Sequence, residues 1–165
     1  MLTLKRVGGI GNWEIYVETF VFVDGSNTGN STPLLTNPPL GIAGLNRLYT
    51  YDIAAFDPEG DSLSYELVKL RYTNGILIPE QWFPDDSKFG ASTIEIDPLT
   101  GIFTWDSPPV LGVFNIAIQI NEWKSDDFGN VSRSSFSVRD FPIEVFRTDN
   151  FPPVIAKIKE KNNGF

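Results

Sequence analysis

The sequence predicts an all-β fold, an antiparallel β-sandwich made of one complete module with flanking pieces of neighbouring ones. Three observations carry that expectation. Apolar and polar residues alternate with period two along most of the chain, β-branched and aromatic residues fill those segments, and Gly/Pro turn signals separate them. Helical periodicity is hard to find. Several short strands broken by tight turns bury their apolar faces by packing sheet on sheet. With 165 residues, 41% hydrophobic and 13% aromatic, the chain has material for one full core and some length beyond it.

In chain order the expected strands are Trp13 to Val23, Leu48 to Ala54, Leu63 to Leu70, Thr93 to Ile96, Gly101 to Trp105, Val113 to Glu122 and Val131 to Phe146. In "SLSYELV", Leu63, Tyr65 and Leu67 share one face while Ser62, Ser64 and Glu66 share the other, the pattern of a half-buried strand. "DPLTG", Asp97 to Gly101, has the Asp-Pro opening and trailing Gly of a tight turn, so the strands on either side of it form a hairpin. "SPPVLG" and "KSDDFGN" are further connections, and "TNGILIPEQWFPDDSKFG" is a longer irregular insertion. The first candidate, "WEIYVETFVFVD", is a long apolar edge that needs a preceding domain or a neighbouring subunit to cover it, and the preceding domain is the expected one.

Composition narrows the function. The net charge is −8 and the thirteen basic residues are scattered, which argues against a nucleic-acid partner or an anionic membrane surface and favours a cationic one. Cysteine and histidine are both absent, which excludes disulfides, thiolate nucleophiles, the usual zinc sites and any His-based triad. No apolar run approaches the length of a membrane span, so no membrane insertion is expected. No nucleophile–base pair or acid pair emerges, and adjacent carboxylates such as Asp85-Asp86 point apart in a strand, so no enzyme is expected. The opening residues lack an uninterrupted apolar signal core, and the chain reads as a piece of something longer.

An internal repeat organises the chain. "LLTNPPLGIA" (Leu34 to Ala43) resembles "FRTDNFPPVIAK" (Phe146 to Lys157), and the two asparagines Asn37 and Asn150 lie 150 − 37 = 113 positions apart, the length of one sandwich module. Pro-Pro pairs stiffen an extended connection, as suits a domain boundary. Residues 1–36 are therefore expected to be the last strands of a preceding module, 37–150 a complete module, and 151–165 the start of the next.

"AAFDPEGDSLSYEL" places Asp57, Glu59 and Asp61 at alternate positions of a loop held by Pro58 and Gly60. Three carboxylates so close repel one another unless a cation sits among them, and hard oxygen ligands imply Ca²⁺. The spacing is not that of an EF-hand, which needs Gly at the Ser62 position and Glu at the Val68 position. More oxygens are expected from loops at the same end of the sandwich: Asn37 from the incoming linker and Glu122 from "INEW", with Asp149 and Asn150 serving the next module. The plain alternatives are a solvated Asx turn at Asp57, surface charge at Glu122, and turn-capping at the asparagines before proline.

The combination of "AFDPEGDSLSYELV", "IDPLTGIFTW", "GVFNIAIQINEW", "SVRDFPIEV" and "DNFPPVI" resembles the cadherin-like, immunoglobulin-like repeats of large secreted or cell-surface proteins of Bacteroidota, the type found among gliding-motility and type IX secretion substrates. The resemblance covers roughly residues 30–155. It implies an immunoglobulin/cadherin-like sandwich with calcium at the module junctions: Asp57, Glu59 and Asp61 match the acidic loop, Glu122 the late-strand acid, and Asp149 and Asn150 the outgoing linker. Because the incoming linker shows Asn37 without an Asp, one ion per junction is expected. The implied function is a non-catalytic repeat of an extracellular fibre or adhesin, exported across a Gram-negative outer membrane, whose partners are neighbouring modules and cell-surface or environmental polysaccharide. The alternative is a carbohydrate-binding accessory module of a secreted enzyme, using Trp82 and Phe83 in the Pro-flanked insertion; Trp105 and Trp123 read as core or core-edge residues.

Overall fold

The computed structural model describes residues 4–5, 12–13, 17–22, 29–38, 41–71, 75–77 and 92–149. Its strands are β1 (Leu4–Lys5), β2 (Asn12–Trp13), β3 (Val17–Val21), β4 (Leu34–Leu35), β5 (Gly41–Gly44), β6 (Tyr49–Asp52), β7 (Ala55–Phe56), β8 (Ser62–Val68), β9 (Thr93–Ile96), β10 (Ile102–Asp106), β11 (Gly112–Ser125) and β12 (Val131–Phe146). No helix occurs among the described residues, and the fold is all-β, as the alternation predicts. One sheet runs β3-β12-β11-β8, with β5 added parallel to the distal half of β12; a second runs β6-β10-β9. The pairs β1-β2 and β4-β7 stand outside these two.

The two sheets close on a shared core because their alternating faces match. Ile116, Ile118 and Ile120 of β11, and Phe141 and Ile143 of β12, face Phe103 and Trp105 of β10, and all are essentially inaccessible to solvent. Aromatic rings cross the gap: Phe103 meets Phe141 edge to face at 6.4 Å, and Tyr51 lies 5.3 Å from the same ring. The indole N–H of fully buried Trp105 donates to Ser92 Oγ at 2.8 Å, and that hydroxyl donates to the Asp106 carbonyl, so both of these buried donors are satisfied. Tyr65 of β8 joins the core while Ser62 and Glu66 stay exposed, as expected for "SLSYELV".

Two hairpins follow their turn chemistry. Between β9 and β10, Asp97 Oδ1 accepts the N–H groups of Leu99 and Thr100, and Gly101 closes the turn at φ +73°. Between β11 and β12, Asp126 Oδ1 accepts from Phe128 and Asn130, with Gly129 at φ +81°. That tip and the loop before β8 lie at one end of the sandwich, since Trp123 pairs with Ser62 and Ser125 with Val131. Phe146 marks the other end, opposite Gly44.

The hydrogen-bonded unit begins before residue 37. Val17–Val21 pairs antiparallel with Ser135–Arg139 of β12, and Leu34–Leu35 pairs with Ala55–Phe56. The expectation that 1–36 belongs to a preceding module placed both segments elsewhere. Alternation identifies a strand but not its partner, and here the free edge of β12 supplies one. Most of the insertion between Leu70 and Ser92 lies outside the described residues.

Candidate metal centre

The acidic loop connects β7 to β8. Asp57 Oδ1 accepts the backbone N–H of Glu59 at 2.9 Å and of Asp61 at 3.0 Å, while Gly60, at φ +87°, donates to the Asp57 carbonyl. One oxygen of Asp57 thus builds the turn. The other, Oδ2, is closed off from solvent and accepts no hydrogen bond among the described residues. Glu59 is engaged by other donors: its two oxygens accept the N–H and the hydroxyl of Ser31 at 3.0 and 2.9 Å, and those bonds hold its carboxyl below the usual glutamate range. The three-residue alternation is therefore split between two tasks.

Glu122 completes the cluster from β11. It is fully buried, an environment in which a carboxylate costs on the order of several kcal/mol unless its oxygens are hydrogen-bonded. The register supplies the donors. The β11–β12 ladder slips between Glu122 and Trp123, so that Ser134 becomes an extra residue on β12. Ser134 Oγ donates to Glu122 Oε1 at 2.5 Å and Ser135 Oγ to Oε2 at 2.6 Å. In a regular ladder neighbouring side chains point to opposite faces; the bulge lets two consecutive serines reach one carboxylate. The third donor is Asn30 Nδ2, at 2.5 Å from Oε1.

Asp57, Asp61 and Glu122 each offer an oxygen, and these oxygens lie within 4.8 Å of one another. Asp61 Oδ2 is shut off from solvent and faces the Lys124 ammonium at 3.4 Å, an ion pair rather than a hydrogen bond of ordinary geometry among the described residues. Burial pushes the Asp61 carboxyl up; Lys124 opposes that shift, and the charges of Asp57 and Glu122 add to it. Lys124 also donates to Asn30 Oδ1, linking the ammonium to the amide that holds Glu122. Three carboxyl groups thus face a single ammonium in the cluster. Hard oxygens with no imidazole or thiolate make a centre suited to a metal ion of the hard class.

Of the residues expected at this site, Asp57, Asp61 and Glu122 come together, and Glu59 lies beside them without joining. Asn37 is elsewhere: its Nδ2 donates to the Asp52 carbonyl at 2.8 Å. From Asn30 the chain runs antiparallel past Phe56, Ala55 and Ala54, which carries Asn37 to Asp52 and away from the acidic loop. Asp149 is exposed beyond Phe146 at the far end, roughly 36 Å of strand from Ser135. Asn150, Trp82 and Phe83 lie outside the described residues. Trp105 is inaccessible and so offers no stacking surface, whereas half-buried Trp123 donates its indole N–H to Ser64 Oγ.

Asn30, Ser31, Lys124, Ser134 and Ser135 were not found by sequence reasoning. Asn30 had a signal available: "NSTP" is an Asn-x-x-Pro segment before two aliphatic residues, the same pattern as "NFPP" at Asn150 to Pro153. For the serines there was none, because their role depends on a register slip. A comparison with protein-family models and with curated proteins finds no match for this chain.

Proposed function

We propose that the chain is a non-catalytic repeat of an extracellular surface fibre or adhesin, with Ca²⁺ at the module junctions making the tandem array rigid. The observation that carries this reading is the position of the carboxylate cluster. Asp57, Asp61 and Glu122 sit at the end of the sandwich where Asn30 and Ser31, on the segment between β3 and β4, meet the β7–β8 loop, and the chain leaves β12 past Phe146 at the opposite end. Modules built this way join head to tail, and each junction carries one acidic centre.

Ca²⁺ takes six to eight oxygens at about 2.3–2.6 Å in flexible geometry, and three carboxylate oxygens all within 4.8 Å of one another can reach one such ion. The recurring Asn-x-x-Pro supports the tandem reading. Its copies are 150 − 30 = 120 positions apart, which puts Asn150 in the following module where Asn30 stands in this one. The immunoglobulin/cadherin-like assignment is supported by the strand order, three strands β6-β10-β9 facing β12-β11-β8, with β5 parallel to β12. In this reading the ion makes one closed site of the segment around Asn30, the 57–61 loop and β11. Without it the carboxylates repel and the linker pivots.

The affinity expected of an extracellular module is about 10⁻⁴ to 10⁻³ M. Calcium titration calorimetry with thermal melts, on the wild-type chain and on Asp57→Ala/Asp61→Ala, tests this. Binding in that range should raise the stability of the wild type, by about 2.7 kcal/mol at a hundredfold excess over Kd, and leave the double variant unmoved. A wild type that shows neither heat nor a change in Tm sinks the calcium reading.

A further inference from the structure

We propose that Lys124 is a tethered counter-cation that competes with the metal ion for Asp61 and Asn30, and so sets the calcium concentration at which the junction fills. This rests on the calcium reading of the same centre. Lys124 lies two residues beyond Glu122 on β11, and the period of a strand returns its side chain to the face that Glu122 occupies. Its ammonium stands 3.4 Å from Asp61 Oδ2 and donates to Asn30 Oδ1. Asn30 Nδ2 in turn donates to Glu122, so the ammonium touches both the loop carboxylate and the clamp on the strand carboxylate.

The ammonium neutralises only part of the cluster. Asp57 Oδ2, closed off from solvent, accepts no hydrogen bond among the described residues, and the ammonium reaches Asp61 but is one cation among three carboxyl groups. A divalent ion bound to Asp61 Oδ2 would lie within a few ångströms of Lys124 in its present place, and two cations at that distance repel strongly where water is scarce. The ion must therefore displace the ammonium. That step is open to the chain, because the lysine side chain is 35% exposed and its flexible stem can carry the ammonium into solvent without repacking the core. Its departure also frees Asn30 Oδ1, a neutral oxygen of the type calcium accepts, while Asn30 Nδ2 stays on Glu122.

Calcium calorimetry and melts in chelator and in calcium, on the wild type, Lys124→Met and Lys124→Arg, test the inference. Lys124→Met should tighten Kd by roughly tenfold or more, lower Tm in chelator and enlarge the rise on adding calcium; Lys124→Arg, which keeps the charge, should stay near the wild type. If Lys124→Met does not fold, Lys124→Gln replaces it with the same expectation. Equal affinity in all three folded proteins overturns the competition while leaving the calcium reading standing. Binding by Lys124→Met but not by the wild type supports the competition and overturns the calcium-filled junction. No binding by any of them overturns both.

Discussion

Glu122 shows how one side chain gathers a site around itself. It has no exposed surface, yet it receives hydrogen bonds from Asn30, Ser134 and Ser135, donors that make a buried carboxylate tolerable. Removing one donor should therefore cost more when the charge is present. Ser135→Ala is expected to lower stability by about 1–3 kcal/mol in the wild type and by clearly less in a Glu122→Gln background, and a double-mutant cycle by denaturant unfolding reads the difference. Glu122→Gln alone should keep the fold in chelator and lose the response of Tm to calcium. At this scale Asp57, Asp61 and Glu122 were legible, because like charges on a short loop and an acid late in an apolar strand are local signals. Asn37 was misplaced because repeat similarity was aligned on the Pro-Pro pair rather than on Asn-x-x-Pro. Asn30 and the serines act across the fold, 122 − 30 = 92 and 134 − 122 = 12 positions from their partner.

At the level of elements, turns and register decide what the strands present. Thr93–Ile96 and Val131–Phe146 match their expected bounds, and the longer alternating segments are recovered within a few residues, since side-chain period is an intrinsic signal. Leu34–Leu35, Gly41–Gly44 and Ala55–Phe56 were missed: they are two to four residues long, lie among Pro and Gly, and exist only through their partners. The β9–β10 turn gives two tests. A Cβ on Gly101 would sit 2.8 Å from the Tyr65 ring at a left-handed φ, so Gly101→Ala should destabilise by about 1–3 kcal/mol, measured by chemical unfolding. Asp97 accepts two backbone N–H groups, first from Thr100 and then from Leu99, that hold its carboxyl below the ordinary aspartate range. Its depressed folded value means that its contribution is present above the unfolded pKa and disappears as pH falls through the folded one. The Tm advantage of wild type over Asp97→Asn should accordingly shrink on acidification from neutral pH to below the usual aspartate range.

For the whole molecule, an all-β sandwich was the most legible feature, because every long strand votes for it independently. The placement of the N-terminal strand was not. β3 lies on the open edge of β12, with Val17 63% exposed and Phe20 stacked on Phe136 at 5.4 Å. Exposed edges invite pairing between molecules, and a charge at the outermost apolar position blunts them. Val17→Lys should reduce self-association in concentrated solution by light scattering while leaving Tm close to the wild type. The strand arrangement also governs when the acidic centre comes into being. Its groups come from Asn30, the 57–61 loop, Glu122 and the Ser134–Ser135 bulge, which lie 135 − 30 = 105 positions apart along the chain. A polypeptide appearing N-terminus first holds loose, unpaired acids until β12, its last described strand, closes the ladder. If the centre takes the proposed ion, ion uptake would certify a finished fold, and a stalled or truncated copy would be left without one.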